Sequence, residues 1–285
     1  MMSPDGMEPE PDKDNAVAKA FRLLEALAAH ERAQRVSELA RELGMAKSNV
    51  HRLLKTLIAL GHVRQNEHGL YHTTIRLWEV GSRVVGRLLV QRAAGDHLKA
   101  LAAKSQEETQ LAILDGGEAV FIQAIEAVHP VRPAPVLGRR AALHCTSVGK
   151  AILAHQPDDV IRAALRRLHA YTPRTITTSE RLRAELGEIR RRGYAMNLGE
   201  WNPGVHGIAA PIISPDGSVG ASVSVVGPSE RLQARRLRDL APLVTGAAQA
   251  IALSLAYLSA RPEQLPERRR RGQPSQAPEP PAAAE

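Results

Sequence analysis

Residues 36–55, VSELARELGMAKSNVHRLLK, decide how the N-terminal part of this chain is read. Residues 38–43 read as a short helix capped by Ser37, and Gly44 stops it because glycine alone takes positive φ without strain. A further helical pattern follows from Lys47 to about Leu60 and ends at Gly61. At about 100° per residue, Val50, Leu53, Leu54, Leu57 and Ile58 fall on one side. Ser48, Arg52 and Lys55 lie opposite, with Asn49 and Thr56 on one flank and His51 on the other. A helix that reads a DNA major groove needs these two faces, one packed on a companion helix and one polar. Arginine can grip guanine and asparagine adenine through paired hydrogen bonds, while lysine and serine bind phosphate.

An ordinary amphipathic surface helix would carry a similar outer face, so the flanking segments decide. Residues 62–65 and 70–73 bracket the polar turn Asn66-Glu67-His68-Gly69, a β-hairpin signature placed where a winged helix has its wing. Arg64 and His68 are then placed to reach the DNA backbone or minor groove. Upstream, Val17, Phe21, Leu24, Leu27 and Ala28 recur at helical spacing, predicting a first helix capped by Asp14 or Asn15. Residues 14–74 are therefore expected to form a winged helix-turn-helix. Its DNA contacts would come from Lys47, Ser48, Asn49, His51, Arg52, Lys55, Arg64 and His68.

Beyond it, residues 75–105 are helical in pattern and interrupted at Gly81, Gly86 and Gly95, which suits a linker helix over 75–88 and then a second helix. Residues 109–114 and 118–127 flank Asp115-Gly116-Gly117 as a hairpin, and 205–214 and 218–226 flank Pro215-Asp216-Gly217 as another. Helices are expected over 148–155, over 158–168, from a cap at Thr178 or Ser179 to Gly193, and over 233–258. Helices mixed with antiparallel hairpins predict a mixed α/β domain over 89–260 rather than a doubly wound parallel sheet.

Composition agrees with two domains. A hydrophobic share of 44% can support real cores, but aromatics are only 3%, so aliphatic side chains must do the packing. No apolar run approaches the ~18 residues a spanning helix needs, and no basic-then-apolar leader is visible, which predicts a soluble, cytoplasmic protein without a membrane partner. A lone cysteine, Cys145, excludes an internal disulfide framework, and no spaced His ligand pair suggests a metal. The net charge of +8 suits a polyanionic partner, but residues 14–75 hold nine Lys and Arg against six acids, so the excess is not concentrated there. Residues 1–13 and 261–285, the latter with arginines at 268–271, lack apolar periodicity and are expected to be disordered.

The chain resembles the IclR family of transcriptional regulators from about Asn15 to Ser259. The likeness is carried by the helix-turn-helix and by LHCTSVGKA at 143–151. Arg192-Gly193-Tyr194-Ala195, Pro203-Gly204-Val205, Ile208-Ala209-Ala210-Pro211 and Ser222-Val223-Ser224-Val225 carry the rest. It implies a winged-helix domain, a linker helix and a GAF-like effector domain, assembled as a homodimer or dimer of dimers on double-stranded operator DNA. It also implies a small, often carboxylate-bearing effector and no resident cofactor. Effector positions carry over to Ser147, Val148, Asn197, Gly207, Ser222 and Ser224. Asn197, Gly207 and His206 stand where Asp, Cys and Arg are frequent, so this effector is expected to differ.

The residues support a sensor on their own terms. Ser147-Val148-Gly149 opens a helix, where backbone N–H groups favour an anion. Ser222 and Ser224 are two apart on a strand and present both hydroxyls to one face, either to a ligand or to neighbouring backbone. Trp201 and His206, if they face the cavity, favour a ring or flat acid. Repression reads ahead of activation. The alternative from another class is a metabolite-binding module or enzyme built on the C-terminal domain. Ser147-x-x-Lys150 lacks the companion motifs of serine β-lactamases, Gly149-Lys150 lacks the rest of a P-loop, and Cys145 beside His144 would point away from it on a strand.

Overall fold

In the computed structural model, residues 15–129 and 137–260 are described, and they divide into two compact units that meet in sequence at Leu88 and Leu89. The expectations for residues 1–13 and 261–285 lie outside the described residues.

The first unit opens with α1 (Ala16–Ala29), whose N-cap Asn15 accepts the Val17 N–H at 2.8 Å. Next come α2 (Val36–Leu43) and α3 (Lys47–Ala59), then β1 (Val63–Gln65) paired antiparallel with β2 (Tyr71–Thr73). Gly44 closes α2 at φ 65° and Gly69 closes the hairpin at φ 74°, both in the left-handed region that only glycine enters freely. The start of α2 departs from expectation. Ser37 lies inside the first turn, and Glu38 reaches back to accept the Arg35 N–H at 2.7 Å. Gln34 exchanges two backbone hydrogen bonds with Tyr71 and so adds a third short edge to the wing.

Leu23, Leu39, Val50 and Leu54 are fully buried between the three helices, each contributing about 1.5–3 kcal/mol by leaving water. Val17 and Phe21, expected to pack, stay exposed because α1 turns Leu23, Ala26 and Leu27 inward instead. The unit ends in α4 (Ile75–Val85), capped by Thr74, with no buried residue although Ile75, Trp78, Val80 and Val84 lie along it.

The second unit is built on a six-stranded antiparallel sheet. Its strands are β3 (Glu108–Asp115), β4 (Glu118–Ile125), β5 (Arg140–Ala141), β6 (Ala195–Leu198), β7 (Val205–Ile212) and β8 (Ala221–Pro228), in the order β5-β4-β3-β8-β7-β6. Both expected hairpins form, although β7 and β8 do so with a longer connection; β5 and β6 are short additions that periodicity did not reveal. A bulge at Ile122 shifts the β3–β4 register between Leu111 and Ala112, next to Phe121.

Two helices, α5 (Leu89–Ser105) and α9 (Ala234–Ala260), pack together on one face of the sheet. Gly81 and Gly95 do not interrupt their helices, and the chain breaks only around Gly86–Leu88. By length and composition α9 is apolar enough to cross a membrane, but Leu237, Leu240, Val244 and Ile251 bury one face of it inside this unit. The opposite face of the sheet carries α6 (Ser147–Leu153), α7 (Asp158–Leu165) and α8 (Ser179–Arg192). Gly149 lets α6 approach the preceding turn, since a Cβ there would sit 2.5 Å from the Leu143 Cα.

Candidate functional site

The first unit offers a polar helix face. Lys47, Ser48, His51, Arg52 and Lys55 are exposed, Asn49 is half-buried, and Val50, Leu53, Leu54 and Leu57 are buried beneath them. Arg52 donates to Asn49 Oδ1 at 3.2 Å, so these two side chains are presented together. Arg64 stands exposed on β1 and His68 at the exposed turn of the wing. Ile58 is the one expected packing residue of α3 that remains exposed.

In the second unit a cavity of about 810 Å³ opens between α6, the β6–β7 connection and the β4–β5 side of the sheet. Ser147, Val148, Asn197 and Gly207 line it, four residues from three distant segments brought to one place. Gly207 matters by what it lacks. A Cβ there would lie 3.1 Å from Ser147 Oγ and 3.2 Å from the Val225 carbonyl, so the bare backbone keeps the floor open.

Asn197 uses its Oδ1 to accept the Glu200 N–H at 2.7 Å, which fixes the loop carrying Trp201. Trp201 lines the cavity with Arg139 stacked 4.5 Å over its ring, and Arg139 has no carboxylate partner among the described residues. Phe121, Tyr171 and Gln110 complete the apolar and polar walls. None of Arg139, Phe121, Tyr171 or Gln110 stands out in the sequence. The bulge beside Phe121 and the two-residue strand at Arg140 that place them have no periodic signal.

Three expectations for this site need correction. Ser222 and Ser224 do lie on the face of the sheet toward α6, yet neither lines the cavity. Ser222 donates to the Val148 carbonyl at 3.2 Å and so ties α6 to β8, while Ser224 Oγ is buried without a hydrogen-bond partner among the described residues. His206 alternates with Gly207 along β7 and faces away from the cavity, where its Nδ1–H donates to the Leu232 carbonyl at 2.9 Å. The α6 N-terminus is also less free than expected, because Thr146 Oγ1 already accepts the Gly149 N–H at 3.1 Å.

Cys145 sits in a turn rather than on a strand, and burial pushes its thiol up to about 12, which keeps it protonated and unreactive. Behind the cavity, Lys150 is 1% exposed and holds Glu200 at 2.5 Å and Glu185 at 3.7 Å. Burial pushes the Glu200 carboxyl above the usual range, and the Lys150 ammonium opposes that shift. The pair anchors the base of the loop from Asn197 to Trp201.

Residues 16–67 match the model of the IclR helix-turn-helix domain, and residues 82–253 match that of the bacterial transcriptional regulator IclR C-terminal domain. The HTH-type transcriptional regulator KdgR of Escherichia coli is 32% identical over 254 residues, covering 88% of this chain and 96% of that protein. The transcriptional repressor IclR of E. coli is 29% identical over 244 residues, covering 84% of this chain and 89% of that protein. A solved IclR homologue from Microbacterium hydrocarbonoxydans, complexed with 4-hydroxybenzoate, superposes with a TM-score of 0.74 at 27% identity, covering 85% of this chain and all of that one. These matches span both units, so the chain belongs to the IclR family and is a DNA-binding transcriptional regulator, as its named relatives are, rather than an enzyme.

Proposed function

We propose that this regulator binds operator DNA as a homodimer or dimer of dimers, that a small organic acid in the second unit controls that binding, and that the outcome is repression. The observation that carries the acid is the unpaired Arg139 guanidinium held over Trp201 at the mouth of a cavity that also exposes Ser147 and Asn197. A carboxylate satisfies the guanidinium and the hydroxyl together, and a ring lies naturally against Trp201 and Phe121. The 4-hydroxybenzoate bound by the Microbacterium relative supports the same ligand class, and the repressor named among the relatives supports the sign.

On the DNA side, Arg52 and Asn49 supply base-reading groups and Ser48 and Lys55 supply phosphate contacts, with Lys47, His51, Arg64 and His68 around them. Self-association is supported by the first unit's exposed apolar surface. Val17, Phe21 and Leu60 border a groove of about 750 Å³, and α4 buries none of its apolar residues among the described residues. One reading head also buries too little surface for a tight specific site.

Effector and operator are coupled reciprocally in this reading, through the segment α4 that joins the units, so operator DNA must change effector affinity by the same factor as the effector changes operator affinity. The test has two steps. Selection from random duplexes yields the operator, and aromatic and aliphatic carboxylates are then screened by thermal shift and by their effect on operator binding. A protein that selects no pseudo-palindromic sequence, remains monomeric by light scattering with DNA present, or responds to no carboxylate contradicts the corresponding part of the proposal.

A further inference from the structure

The cavity of about 810 Å³ rests on a row of residues that crosses four strands of the sheet. Glu108 on β3 pairs in register with Val226 on β8, Val226 with Gly207 on β7, and Gly207 with Asn197 on β6. Residues in register share one face of a sheet, and the spacing between strands sets the two ends of the row about 14 Å apart. The middle of the row, Val226 and Gly207, is apolar or bare, while each end of it brings a side-chain amide to the cavity. One is Asn197 itself. The other is Gln110, two residues along β3 from the fully buried Glu108 and therefore on the same face.

A neighbour holds each amide one way round, and the two are held oppositely. Asn197 Oδ1 accepts the Glu200 N–H at 2.7 Å, so the group left for the cavity is the Nδ2 donor. Gln110 Nε2 donates to Glu108 Oε1 at 2.6 Å, since an amide oxygen has no hydrogen to give a carboxylate. The group left at Gln110 is the Oε1 acceptor, and it receives no hydrogen bond among the described residues. Glu118, the one carboxylate in the lining, faces Arg140 at 3.6 Å. The cavity thus has a donor end at Ser147, Asn197 and Arg139, an apolar middle, and an acceptor at Gln110.

We infer that Gln110 is a specificity-determining residue that reads a hydrogen-bond donor on the effector, so that the ligand is an acid with a hydroxyl at the end away from its carboxylate. The carboxylate takes Ser147, Asn197 and Arg139, the apolar middle lies over Gly207 and Val226, and the hydroxyl donates to Gln110 Oε1. Glu108 acts through Gln110 as a positioning residue, because it makes the amide show oxygen rather than N–H. This rests on the organic-acid reading and narrows it to the group at the far end. An acid with a carbonyl in place of the hydroxyl meets oxygen with oxygen there and gains nothing.

Matched acids test it: benzoate, 4-hydroxybenzoate and 4-formylbenzoate, with hexanoate and 6-hydroxyhexanoate as the open-chain pair, titrated calorimetrically into the full chain. Each hydroxy acid is expected to bind about five- to tenfold tighter than its parent acid, as one net hydrogen bond gives, and the formyl acid no tighter than benzoate. Gln110→Met keeps the side chain's length and removes the acceptor, so the hydroxyl advantage should vanish. Glu108→Gln keeps the volume and frees the Gln110 amide to turn, so the formyl acid should rise toward the hydroxy acid. A merely structural role for Glu108 would move all the acids together. Melting curves verify the fold of each variant, and either one suffices beside the parent's own ranking. Equal binding of hydroxy and unsubstituted acids by the parent, a formyl acid as tight as the hydroxy acid there, or an advantage that survives in Gln110→Met overturns the reading of Gln110 and leaves the organic-acid reading standing. Failure of all five acids to bind overturns both.

Discussion

The polar face of α3 and the cavity of the second unit are opposite ways of building a surface. The helix face comes from nine consecutive residues, 47–55, and its side chains point outward whatever the rest of the molecule does. The cavity draws on residues from Gln110 to Val226, and each wall is in place only because a sheet, a bulge and a short helix hold it. Damage to the first should therefore be local and cheap in stability. Damage to the second should spread into the fold.

The largest contrast is expected at two lysines. Lys150→Met leaves Glu200 as a buried carboxylate without its cation and should cost about 3–5 kcal/mol in denaturant unfolding of the second unit. Glu200→Gln in the same chain should restore part of that loss. Lys55→Met, on the exposed face, should leave stability within about 0.5 kcal/mol. Equal costs at the two positions would erase the distinction between the surfaces.

Next in size is operator recognition. Arg52→Ala should cost about 1–3 kcal/mol of operator affinity and relax preference at one base pair, while Lys55→Ala weakens all sequences alike and lowers the salt slope by about one. Fluorescence anisotropy over a salt series distinguishes the two, and full affinity in both variants would show that α3 is not the reading helix. Then comes the cavity floor. Gly207→Ala places a Cβ against Ser147 Oγ and should weaken organic-acid binding about tenfold while operator affinity without ligand is unchanged. An unaltered ligand isotherm would move the bound acid away from Ser147. The smallest effect is at Ser224, whose buried hydroxyl finds no partner among the described residues. Ser224→Ala should be neutral or slightly stabilising in a thermal melt and should leave the ligand response intact. Loss of response would return Ser224 to the ligand site.

The same contrast explains what could be read from sequence. The winged unit is legible because its signals are local: a glycine at each left-handed position, a cap at Asn15 and apolar residues at helical spacing. Even there the α2 cap was displaced, since Glu38 closes the turn from inside while Ser37 offers the more familiar chemistry. In the second unit the hairpins and long helices were visible, but β5 and β6, of two and four residues, are too short to show a period. The cavity was half legible. Ser147, Val148, Asn197 and Gly207 came from the family likeness, whereas Arg139 and Tyr171 reach it only through tertiary structure. The side of His206 was left open although alternation was sufficient to exclude it: if Gly207 faces the cavity, its neighbour on the strand cannot.

The central strand pair, β3 with β8, sets an order of events during synthesis. Leu111 pairs with Val223, more than a hundred residues later, whereas the strands of the winged unit pair across a five-residue connection. Contacts that close so long a loop form late, and domains emerge from the ribosome N-terminal first. The helix-turn-helix unit can thus be complete while β8 is still unmade, and the six-stranded sheet closes only when Ala221–Pro228 arrives. Each new copy of this regulator therefore completes its helix-turn-helix before the last strand of the domain behind it has been made.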